Sequence, residues 1–176
     1  STRVMLRAVC ELGIEEDDQK LYEMRVVEQM GGPQQLLPQL TQFQPADTPE
    51  RLEAFIARLH AYPSFMAANT HILRDGMASG LTAPRIVAER TIAQVERMLE
   101  VPIGSAIVPS MVQVASDADR ERVRDVVRDV VYPADLAFLD ELRGDYLAAT
   151  RGEPGLWSAP NGEVRYRTAV RSWTTL

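Results

Sequence analysis

A stripe of valines most constrains what this chain can become. Val123, Val126, Val127, Val130 and Val131 recur at spacings of three and four, and Ala134, Phe138, Leu142 and Tyr146 continue the stripe beyond Pro133. Valine is stiff at its branched carbon and favours strands, but a strand would need a period of two and this stripe keeps 3.6. Helix is therefore the reading. Ser116 can cap its start, and Asp119 at the third position mimics a capping box. On the outer face, acid precedes base by three residues in Asp119 with Arg122, Glu121 with Arg124, Asp125 with Arg128 and Asp140 with Arg143, a pattern worth a few tenths of a kcal/mol per pair.

The same period runs through the rest of the chain. Thr48 and Pro49 have the N-cap and first-turn chemistry of a helix start, and Leu52, Phe55, Ile56 and Leu59 form its stripe. Pro63 is expected to break or kink this helix, because it lacks a donor and its ring clashes with the preceding turn. A second stripe of Phe65, Met66, Ile72, Leu73 and Met77 closes at Gly80, a candidate left-handed C-cap. Thr82-Ala83-Pro84 restarts helix, with Val87, Ile92, Val95, Met98 and Leu99 as the buried face. A final helix is expected from about Glu163, carrying Tyr166, Val170 and Trp173.

Between these elements lie two expected connectors. Residues 31–47 contain Pro33, Pro38 and Pro45 and are read as extended, packed by Leu36, Leu37, Leu40 and Phe43; residues 101–115 are read as a connector with a short apolar turn. At the front, Val4, Leu6, Val9 and Leu12, then Leu21, Met24 and Val27, indicate two short helices or one interrupted helix, with Glu15-Glu16-Asp17-Asp18 as a solvated helix start. The expected fold is all-α, antiparallel helices joined by proline-rich connectors, with residues 1–176 forming a single helical domain or the N-terminal portion of a larger protein.

Composition excludes several functions. A net charge of -6 opposes binding to a phosphate backbone, so nucleic acid is not an expected partner. No apolar run approaches the roughly 20 residues needed for a membrane span, and the compartment, cytoplasmic or exported, stays open. Cys10 is the single cysteine, which rules out an internal disulfide, and a buried inert thiol is expected there. The start at Ser1 and the stop after Thr174-Thr175-Leu176 read as cut ends.

Chemistry-bearing motifs are missing from the chain. HExxH, GxGxxG, GxxxxGK[ST] and GxSxG do not occur. His60 and His71 stand eleven residues apart, roughly 16 Å along one helix, too far to share a zinc ion. No catalytic residue and no metal ligand is assigned. The mixed cluster Trp157, Arg165, Tyr166, Arg167, Arg171 and Trp173 could grip a carboxylate, and Tyr166 and Arg171 are the candidate substrate-binding residues. The rival reading is a final amphipathic helix with exposed arginines.

From about Glu28 onward a series of landmarks carries a resemblance. They are Gly31-Gly32-Pro33, Leu37-Pro38, Phe43, Arg58-Leu59, Pro63, Leu73-Arg74-Asp75-Gly76, Gly80-Leu81 and Pro84. Later come Leu142, Tyr146-Leu147, Gly155-Leu156, Gly162, Tyr166, Arg171 and Thr174-Thr175-Leu176. In this order they resemble the front of a bacterial family known as domain of unknown function 885. The resemblance implies a helical protein of several hundred residues, similar to zinc metallopeptidases of the HExxH class, whose zinc ligands and water-activating glutamate lie beyond this chain. It further implies that this portion is a non-catalytic wall of the substrate cleft, with the remainder of the parent chain as its partner and a peptide as possible substrate. The alternatives are a helical protein–protein interaction module without enzymatic activity, or a homo-oligomer.

Overall fold

The computed structural model describes residues 2–174, which contain helices and no strands. Ten α-helices follow one another: α1 (Thr2–Asp18), α2 (Leu21–Arg25), α3 (Leu36–Phe43), α4 (Pro49–Ala78), α5 (Arg85–Glu100), α6 (Ile107–Met111), α7 (Asp117–Val126), α8 (Tyr132–Glu141), α9 (Leu147–Ala149) and α10 (Gly162–Trp173). Helices α7, α8 and α9 follow one another as a rod, joined by a π-helical turn at Val127–Val131 and by a second at Leu142–Tyr146 that is kinked at Gly144. The fold is all-α, as the apolar spacing requires.

Three long elements make the core. Cross-links at Glu53–Arg122, Tyr62–Asp135 and Arg74–Glu141 advance in the same direction along α4 and the rod, so these two run parallel. Helix α5 runs the other way: Arg85 reaches the Leu147 carbonyl, Glu96 pairs with Arg143, and Tyr132 reaches the Met98 carbonyl. Consecutive elements are thus antiparallel. Leu59, Leu73, Val95, Val123, Leu142 and Tyr146 are sealed between them. Of the four expected rod pairs, Glu121–Arg124 and Asp125–Arg128 form within the rod. Arg122 and Arg143 instead reach across to Glu53 on α4 and Glu96 on α5.

Caps set the element ends. Thr48 accepts the Arg51 N–H at 3.3 Å, and Ser116 accepts the Asp119 N–H at 3.2 Å. Gly80 takes φ +68, which lets the Leu81 N–H return to the Gly76 carbonyl and the Gly80 N–H to that of Met77, closing α4 in a Schellman motif. Leu81 then comes so near that a Cβ on Gly76 would lie 2.7 Å from its carbonyl oxygen. Position 76 therefore excludes any side chain.

Several expectations need correction. Helix α4 passes through Pro63 without interruption. The lost donor costs about 3 kcal/mol in a helix interior, and the burial of Leu59, Tyr62 and Met66 around the site offsets it. Residues 31–47 are not extended: Pro33–Gln35 is a 3-10 turn and α3 follows, with Pro38 in its first turn, where a missing N–H leaves nothing unpaired. Leu37 is buried, whereas Phe43 faces outward. In segment 101–115 the short apolar turn is the five-residue α6, and the Ala46 N–H bonds the Gln113 carbonyl at 2.6 Å, joining the two segments. The acidic run ends α1 instead of starting a helix. Cys10 is exposed, because no residue of α1 is buried.

Tyr146 fastens the α4–α5 turn to the rod. Its buried hydroxyl accepts the Ala83 N–H at 2.8 Å. Tyr146→Phe leaves that buried donor without an acceptor and should cost roughly 1–3 kcal/mol in urea unfolding; a change within error would show that the turn does not depend on this bond.

Candidate functional site

A cavity of about 350 Å³ opens where α3, α4, α5, α6 and the rod meet. Its apolar wall includes Leu37 and Pro38 from α3, Val108 from α6, and Val127 and Val131 from the first π turn. Polar groups on its boundary are Gln34, Gln35, Tyr62, Gln94, Arg97, Tyr132 and Asp135. The volume lies at the lower end of the roughly 300–1,000 Å³ typical of ligand pockets.

Local sequence explains why Asp135 reaches this place. Pro133 has no N–H to offer the carbonyl four residues back, and the rod widens just before it, with the Tyr132 N–H bonding the Val127 carbonyl five residues away. Beyond the π turn, Asp135 continues the buried line of Val131, Phe138 and Leu142. Its carboxylate accepts the Tyr62 hydroxyl at 2.6 Å, from α4. The second carboxylate oxygen has no partner. Irregular π turns inside helices recur at functional sites.

Burial governs the chemistry of this pair. Asp135 is 5% exposed, and loss of solvent raises its pKa from 3.8 to about 6, the bond from Tyr62 opposing the rise in part. Tyr62 is pushed far above the usual phenol range, by burial first and then by the neighbouring Asp135 charge. Tyr132 is raised as well, again by burial ahead of Asp135. A carboxyl that gains and loses its proton near neutrality beside a cavity can accept a cation or exchange a proton.

The rim is fixed by amides. Gln34, nearly inaccessible, donates to the Glu28 carbonyl at 2.7 Å and to Gln94 Oε1 at 3.0 Å, while Gln94 donates to the Gln29 carbonyl at 3.0 Å. These bonds hold the 28–34 turn against α5. Arg97 is exposed at the cavity edge and makes no hydrogen bond or ion pair within the described chain.

The residues singled out from sequence lie elsewhere. Arg171 donates to Glu15 at 2.7 Å, and Thr168 donates to the same carboxylate at 2.8 Å, so that α10 docks on the end of α1. Tyr166 and Trp173 are exposed on α10, and Trp157 is exposed in the 3-10 turn Leu156–Ser158 before it. Arg165 is buried, with Nε and Nη1 unpaired. Neither Tyr166 nor Arg171 borders the cavity. His60 and His71 are both on the surface of α4. Among the described residues no three His, Cys, Asp or Glu side chains cluster as metal ligands. No helix among them is long and apolar enough to cross a membrane.

Comparison with known proteins adds the family. The profile described as "Bacterial protein of unknown function (DUF885)" matches residues 1–176. The chain belongs to the DUF885 family. Among curated proteins none matches it. A solved structure described as "the putative lipoprotein from Colwellia psychrerythraea" is similar, with TM-score 0.74 and 21% identity over 83% of this DUF885 chain. The match spans 27% of that longer chain, about a quarter of its length. At that identity the likeness concerns the fold alone.

Asp135 gives this DUF885 segment a pH signature. Its folded-state pKa lies above 3.8, so the native state binds the proton more tightly than the unfolded chain. The stabilisation is complete below the unfolded value and is lost as pH rises through about 6. Asp135→Asn, which keeps an acceptor for Tyr62, should therefore raise stability at pH 8 by on the order of 2–3 kcal/mol. The gain should shrink toward zero near pH 4; equal gains in urea unfolding at both pH values would contradict the assignment.

Proposed function

We propose that this chain is the non-catalytic, N-terminal helical part of a longer, zinc metallopeptidase-like DUF885 protein, where it forms one wall of the substrate cleft. The observation that carries the reading is the bare face of α1: Val4, Met5, Leu6 and Val9 are each more than 60% exposed. A helix with an unpacked apolar face marks a surface meant for a neighbour. The longer chain of the similar solved structure supports a neighbour from the same polypeptide.

In this reading the remainder of the parent chain covers α1 and supplies the zinc ligands. Exposed Tyr166 on α10 and Arg171 at the α1–α10 junction would meet peptide substrate at the edge of the cleft. An exported location agrees with the printed description of the similar lipoprotein. The bare α1 face also fits the second reading, a helical module that binds a separate protein or a second copy.

Metal analysis and a peptide-library cleavage assay on the full-length parent separate the two. The proposal expects zinc to copurify and cleavage to stop on chelation and resume on zinc addition. A full-length protein with neither zinc nor cleavage would leave the interaction module in its place.

A further inference from the structure

Asp135 and Arg97 carry opposite charges on the boundary of one cavity, yet they are not paired with each other. The acid sits deep, 5% exposed, with one oxygen taken by Tyr62 and the other free. The base is exposed at the edge with no partner in the chain. The same lining includes the apolar side chains Val108, Val127 and Val131. Arg74, Arg122, Arg128, Arg143 and Arg171, by contrast, all close ion pairs.

We infer that this cavity binds a small apolar zwitterion, an amino acid or a dipeptide. Its ammonium meets Asp135, its carboxylate reaches Arg97, and its side chain rests on the valines. Each part of the ligand answers a feature of the cavity. The Asp135 oxygen that Tyr62 leaves free borders the cavity, and an ammonium brings it both the opposite charge and donors. A guanidinium at the edge offers a planar fork to a carboxylate. The apolar wall favours a branched aliphatic side chain over glycine through buried area. The inference goes beyond the cleft-wall reading, since binding requires neither zinc nor cleavage.

Isothermal titration calorimetry on the intact protein tests it with four probes of leucine chemistry. L-Leucine and leucyl-leucine carry both charges, N-acetyl-leucine lacks the ammonium, and leucinamide lacks the carboxylate. Saturable binding is expected for a zwitterion, with loss of roughly tenfold or more in affinity for N-acetyl-leucine and for leucinamide, the scale of one charge-assisted contact. Arg97→Gln, a surface change, should weaken leucine by a similar factor and leave leucinamide unaffected. Asp135→Asn should weaken leucine and leave N-acetyl-leucine where it was. Binding of leucine alone assigns a free amino acid, and binding of leucyl-leucine alone assigns a dipeptide. No saturable heat from either zwitterion, or equal binding of leucine and N-acetyl-leucine, overturns the proposal.

Discussion

The hydrogen bond from Tyr62 to Asp135, 2.6 Å long and shut away from solvent, is the contact on which the arrangement of α4 and the rod depends. It joins residues far apart in sequence at the centre of the core, where apolar side chains alone would tolerate sliding. A buried polar pair does not, since displacement by one helical turn would strand a carboxyl and a phenol without partners. Glu53–Arg122 and Arg74–Glu141 lie on either side of it along the same two elements. Those exposed pairs contribute little individually, so the central bond fixes the register and the outer ones follow it.

Irregular helix surrounds this contact. The cavity wall includes Val127 and Val131, within the π turn that precedes Pro133, and the second π turn ends at Tyr146, which holds the α4–α5 turn. A regular helix through residues 127–131 would advance differently and bring Asp135 to another angle around the rod. The prolines thus act differently by position. Pro63 is absorbed in α4 by its packed surroundings, Pro38 sits in a first turn at no cost, and Pro133 is accompanied by a widened turn that shapes the cavity.

Much of this fold is legible in the sequence, because caps and period depend on neighbouring residues. Thr48, Ser116 and Gly80 act as their types predict, and the stripes Leu52-Phe55-Ile56-Leu59 and Phe138-Leu142-Tyr146 are buried. The segments 31–47 and 101–115 were obscured by their prolines, although Leu36, Leu37 and Leu40 already stand at helical spacing. At the front, Val4, Leu6 and Val9 show that α1 is amphipathic but not whether anything covers it; hence Cys10, expected in a core, faces outward. Asp135 is one of 25 acidic residues, and composition cannot single it out. Its spacing could have done so: it falls four residues after Val131 and three before Phe138, an acid in line with an apolar stripe. Arg171 stands in a mixed aromatic and basic stretch of the sequence, but its partner Glu15 lies at the other end of the chain.

Asp135 is a buried carboxyl at the cavity that burial makes hold its proton toward neutrality. A ¹³C NMR titration of the aspartate carboxyl resonances, with Asp135 assigned by its disappearance in Asp135→Asn, measures that directly. A midpoint near 6 for Asp135 is the predicted result. A midpoint at or below the ordinary 3.8 would show a solvated or cation-paired carboxylate and contradict both the burial of the Tyr62 pair and the cavity built around it.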